Sequence, residues 1–68
     1  MSAREDRRAL EAACTRLEEV ARRLSDEATP LDRVQVLAEE ALALSGEIAE
    51  RLPRVLRAAE AAAEGGVS

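Results

Sequence analysis

The sequence predicts an all-α fold, an antiparallel helical hairpin of two long helices, the second kinked or broken near Pro53, completed by oligomerisation or by a partner. Three observations carry this reading. Apolar residues recur at spacings of three and four through two long segments, the period of an amphipathic helix. One short interruption, from Ser25 to Pro30, holds turn and helix-start residues. Hydrophobic residues make up 47% of only 68 residues, but fifteen of them are alanine and none is aromatic, so the apolar side chains are numerous and small. A chain this short buries only about 60% of the surface its unfolded form exposes. With one cysteine and no histidine it has neither an intrachain disulfide nor a zinc site to reinforce that core. The core is therefore expected to be finished against something else.

The first helix is expected over about residues 3–26 of a single domain, 1–68. It opens at Ser2-Ala3-Arg4-Glu5, a capping box in which Ser2 and Glu5 can each satisfy an orphan backbone N–H. From there Leu10, Ala13, Cys14, Leu17, Val20, Ala21 and Leu24 form one apolar stripe. Cys14 reads as a small buried hydrophobe on it.

The second helix is expected over about 30–64, with Thr29 as N-cap, Pro30 at the first helical position and Asp32 near the positive dipole end. So short a link between amphipathic helices implies an antiparallel pair. The seam reads Leu31, Val34, Ala38, Ala41, Ser45, Ile48, Leu52, Val55, Ala59, Ala62, a heptad pattern. Pro53 removes the hydrogen bond to the Ala49 carbonyl and disfavours helical geometry at Leu52. A kink is favoured over a third helix beginning there, because the seam keeps its phase and no capping residue stands just before Pro53. Gly65-Gly66 are expected to end the helix and leave 65–68 as a frayed tail.

The apolar face of the second helix is wide. Leu37 and Leu44 lie on one flank of the seam, Leu42 and Leu56 at its other edge, together about half the circumference. This helix should also outrun the first by about eight residues. Such a surface points to a protein interface, with Leu31, Val34, Ala38, Ala41, Leu44, Ile48, Leu52 and Val55 as its candidates. On that reading Ile48→Asp abolishes assembly more readily than helix, and Val36→Asp, on the opposite side, leaves assembly intact.

Little in the chain could perform chemistry. Histidine, lysine and tyrosine are absent, so general acid–base work would fall on carboxylates or Cys14, which lacks a basic partner. Glu39-Glu40 reads as a solvated face, because a metal site between helices would need carboxylates joined by Glu-x-x-His. No phosphate loop or nucleophile motif is present. No catalytic residue, cofactor or metal is expected. A net charge of −4 and the lack of aromatic stacking residues place nucleic acid, if any, behind a partner. All ten basic residues are arginine, and Glu18–Arg22, Glu19–Arg23, Glu47–Arg51 and Glu50–Arg54 are spaced as i,i+4 ion pairs on solvated faces. No apolar run is long enough for a membrane span and the charged start is no signal peptide, so a cytoplasmic protein is expected.

The stretch Leu10 to Leu52 resembles the small subunit of exodeoxyribonuclease VII. The residues that carry the likeness are Leu17-Glu18-Glu19-Val20 and Leu24 on the first helix, then Pro30-Leu31-Asp32, Glu39 and Leu44 on the second, in register without a gap. Ala13 matches a common alanine of that family, and Leu10 stands where it often has phenylalanine. The chain departs from the family at Glu27, where glycine is frequent, at Ala38 and Ala41, which replace an aromatic residue and a glycine, and at Pro53. The resemblance implies a non-catalytic accessory subunit. Several such subunits clothe the long helices of a large catalytic subunit that degrades single-stranded DNA. The partner would then be that large helical subunit, touched through Leu31, Val34, Ala38, Ala41 and Ile48. The other reading is a self-associating helical adaptor, such as a homodimeric four-helix bundle, with no connection to nucleases.

Overall fold

The computed structural model describes residues 2–67, and side chains through residue 64. Two helices, α1 (Ala3–Ser25) and α2 (Leu31–Val67), pack as a helical hairpin. The molecule is a thin rod of 55 × 17 × 14 Å. Its long axis is α2 itself, since 37 residues at about 1.5 Å each span that length.

Local chemistry explains most of the boundaries. Ser2 caps α1, its hydroxyl accepting from the Glu5 N–H at 3.1 Å. Glu5 and Asp6 in the first turn and Arg22 and Arg23 in the last complement the helix dipole. In the turn, the Asp26 carboxylate accepts from the Ala28 N–H at 2.9 Å, a local side-chain bond that competes with helix continuation. Thr29 behaves differently from expectation. Its hydroxyl donates to the Arg23 carbonyl at 2.7 Å, so it closes the end of α1 instead of capping α2. The first carbonyl of α2 to accept is that of Pro30, from Arg33 and Val34 at 3.0 Å each, which places Pro30 one position before the helix.

α2 is one helix. No third helix starts at Pro53, which lies inside α2 with its ring exposed. Ala49, whose carbonyl loses its partner there, is exposed too, so water can take the bond. Nor do the glycines stop the helix, which runs through both to Val67. No described glycine has positive φ, the left-handed conformation a glycine stop requires. Ser68, the last residue of the expected tail, lies outside the described residues.

Two cross-helix ion pairs, Asp6–Arg51 at 3.2 Å and Arg16–Glu40 at 2.6 Å, fix the antiparallel register. Residues whose numbers total about 57 lie at one height, which brings Val20 level with Leu37 and Ala13 level with Leu44. These levels hold the core: Val20, Ala13 and Leu37 are the buried apolar residues among those described, and Val20 alone is fully enclosed. With 37 residues against 23, α2 projects well past the N-terminus of α1, further than the eight residues expected.

The face that α2 turns to α1 differs from the expected seam. It runs Val34, Leu37, Ala41, Leu44, Ile48, Arg51, Val55, Ala58, all buried or half-buried. Val34, Ala41, Ile48 and Val55 belong to both patterns. Ala38, Ser45, Leu52 and Ala59 are exposed, displaced by their neighbours Leu37, Leu44, Arg51 and Ala58. Leucine at two of these places gives the hairpin more apolar volume than alanine and serine would, at about 0.8 kcal/mol per buried CH₂. Arg51 is tolerated on the seam because Asp6, itself buried, meets it. On α1 the same selection leaves Cys14 and Ala21 exposed, contrary to expectation, while Leu10, Leu17 and Leu24 remain half-buried.

Candidate interaction surface

Turning Leu37 and Leu44 inward leaves a second seam outward. Leu31, Gln35, Ala38, Leu42, Ser45, Ala49, Leu52, Leu56, Ala59 and Ala63 follow one another at alternate spacings of four and three, and every one is exposed. Leu31 is 85% exposed and Leu42 75%, where Val20 alone is fully enclosed among the described residues. No charged residue interrupts this row over nearly the whole of α2. A regular uncharged stripe of that length is a different object from scattered surface leucines, which need no explanation. Val36, also exposed, lies about a quarter-turn from Leu37, on the side of α2 that carries Glu40.

The other edge of the hairpin is charged and closed on itself. Arg16 holds Glu40 with two bonds, Nε to Oε2 at 2.6 Å and an Nη to Oε1 at 2.9 Å, and meets Glu19 at 3.2 Å. Arg23 reaches Glu19 at 2.9 Å. Farther along, Arg51 bridges Asp6 and Glu47. Of the four i,i+4 pairs expected from spacing, those of Glu19, Glu47 and Glu50 form. The hydrogen bond from Arg16 holds the Glu40 carboxyl below its ordinary value of 4.5, and the same bond raises Arg16 above its own. A carboxyl whose pKa is lowered by folding stabilises the fold above its unfolded pKa, and that contribution fades as pH falls through the lowered value. The thermal midpoint of the native chain should therefore exceed that of Glu40→Gln at pH 6. The gap should narrow progressively below about pH 4.5. A gap that widens in acid would contradict the assignment.

The residues expected at a partner interface thus divide. Val34, Ala41, Leu44, Ile48 and Val55 are half-buried on the face α2 turns to α1, while Leu31, Ala38 and Leu52 stand on the outer seam. Ile48→Asp would therefore strike the hairpin itself. Leu42 and Leu56, placed at the edge of the wide face by sequence, are central to the outer one. At the open end, Ala3, Arg4 and Arg7 of α1 and Val55, Ala58, Ala59 and Ala62 of α2 line a groove of about 250 Å³. Its floor is alanine and valine, and two arginines stand at its rim.

Among the described residues no group of three or more histidine, cysteine, aspartate or glutamate side chains could hold a metal ion. No helix among them is long and apolar enough to cross a membrane. No family model, curated protein or solved structure matches the chain.

Proposed function

We propose that the protein is a non-catalytic accessory subunit, a helical interaction module that acts by docking on a larger protein. The observation that carries this is the mismatch between its helices. α2 leaves an uncharged seam in water and projects beyond α1, so a large part of its apolar surface has no partner within the hairpin. A surface of that kind is characteristic of a protein interface. The resemblance of Leu10 to Leu52 to the small subunit of exodeoxyribonuclease VII supports a long-helical, large nuclease subunit as the partner, with single-stranded DNA as the substrate of that subunit alone. A cytoplasmic location belongs to the same reading.

The test is to mix the purified chain with the exodeoxyribonuclease VII large subunit from its own organism. The two should elute together and release oligonucleotides from single-stranded DNA. The chain alone should show no nuclease activity and no submicromolar affinity for single-stranded DNA at about 0.2 M salt, where modest electrostatic binding is strongly weakened. Separate elution, or tight salt-resistant DNA binding by the chain alone, would contradict the proposal.

A further inference from the structure

We propose that the outer seam is closed by a second copy of this chain, two hairpins stacking as a four-helix bundle about a two-fold axis parallel to the helices. This draws on the same seam as the accessory-subunit reading and gives the part of it level with α1 to a second copy, leaving the projecting end of α2 for a larger partner.

The outer face is broader than α2. At about 100° per residue, exposed Cys14 and Ala21 lie roughly a quarter-turn from the buried line through Asp6, Ala13 and Val20. The Leu42 seam follows the inner face of α2 in the same rotational sense. Because the helices are antiparallel, both rows open on the same side of the hairpin, opposite the Arg16–Glu40 pair. The face is about 35 Å long over the span of α1 and about 18 Å wide for two helices side by side. Flat, that is on the order of 600 Å² before side-chain relief, close to the roughly 800 Å² per partner of a standard interface.

Symmetry sets what meets what. A two-fold axis parallel to the helices moves no residue along them, so the hairpin's own register also relates α2 to α1 of the second copy. Large residues then face small ones. Leu42 is level with Cys14, and Leu52 and Leu56 bracket the level of Ala3. In the other direction, half-buried Leu10 is level with the stretch between Ser45 and Ala49. Arg7 shares the α1 row with Cys14 and Ala21, and Glu11 and Glu18 flank that row. The head of Arg7 is paired with Glu11 at 3.3 Å, so its charge is met within its own chain. On the rim of the face Arg22 of the second copy falls between the heights of Asp32 and Glu39, with Glu18 at the height of Glu39. Stacking α2 on α2 about the same axis would instead bring Asp32, Glu39, Arg57 and Glu60 each level with its own copy, and like charges in juxtaposition oppose such a pairing.

A second copy would also enlarge a small core. Three apolar residues are buried among those described, and each copy presents the same uncovered face.

The experiment is light scattering of the full chain in reductant at about 100 µM, concentrated enough for a micromolar dimer to form, followed by oxidation of Leu42→Cys. The expected mass is twice 7.3 kDa. Oxidised Leu42→Cys should yield a covalent dimer whose disulfide-linked peptides contain Cys14 and position 42. The crosslink should vanish when Cys14→Ser is added, and Val36→Cys should not form it. Leu42→Asp should weaken dimerisation at least tenfold. If that variant does not fold, the disulfide mapping decides alone. A helical monomer at that concentration overturns the proposal and assigns the face to a different protein. A dimer linking position 42 to position 42 overturns the arrangement.

Discussion

Leu37→Asp is expected to unfold the hairpin, while Val36→Asp, one residue earlier, leaves its helix content and thermal midpoint nearly unchanged. The two sites share a helix and a local sequence but not a surroundings. Leu37 is 7% exposed at the level of fully enclosed Val20, and Val36 is 52% exposed about a quarter-turn away. A carboxylate at position 37 must lose its hydration without a partner or take up a proton, and either costs several kcal/mol. That compares with a total stability of about 5 kcal/mol or less for a domain this small and without staples. At position 36 the carboxylate stays in water, and a surface substitution of this kind is worth about half a kcal/mol or less. Circular dichroism with thermal melting of both variants reads the difference. Equal loss in the two would mean that α2 turns another face to α1. The same contrast tests the corrected seam, because an interior centred on Ala38 and Ser45 would make Leu37 a flanking residue of small consequence.

How much of this was legible in the sequence follows from what each signal depends on. The hairpin was legible because it rests on periodicity and on one short turn, both local. The Ser2 cap was legible for the same reason. The rotation of α2 was not, because its apolar arc is wide enough to contain two heptad seams, and the sequence alone does not say which one α1 covers. A signal was present all the same. Leu37 and Leu44 are bulkier than Ala38 and Ser45, and the seam through them requires Arg51, which an apolar count rejects. Only pairing Arg51 with Asp6 across 45 positions admits it. Arg16–Glu40 was hidden in the same way, since Glu40 reads as half of a solvated acidic pair until α1 is placed beside it. Cys14 went the other way, from expected burial to exposure, because it lies at the edge of its stripe, where a small rotation decides. Thr29 has the residue type and the position of a cap for the helix that follows it. Its hydroxyl can equally donate backward, and the tight turn brings the Arg23 carbonyl within reach.

Which faces of the helices are covered and which are open follows from the register in which Asp6 meets Arg51. The direct measurement is a double-mutant cycle between them, comparing the unfolding free energies of the native chain, Asp6→Ala, Arg51→Ala and the double variant. Asp6 is 6% exposed, so removing Arg51 strands a buried carboxylate, and removing Asp6 leaves Arg51 with Glu47 on its own helix. Each single change is expected to destabilise by about 2 kcal/mol. The double variant should be about 1–2 kcal/mol more stable than the sum of the two losses predicts, the coupling expected of residues in contact. For a chain of this size that coupling corresponds to several degrees in the thermal midpoint. Losses that add, with no coupling, would mean that positions 6 and 51 do not meet and that both the inner and the outer seam have been assigned to the wrong sides of α2.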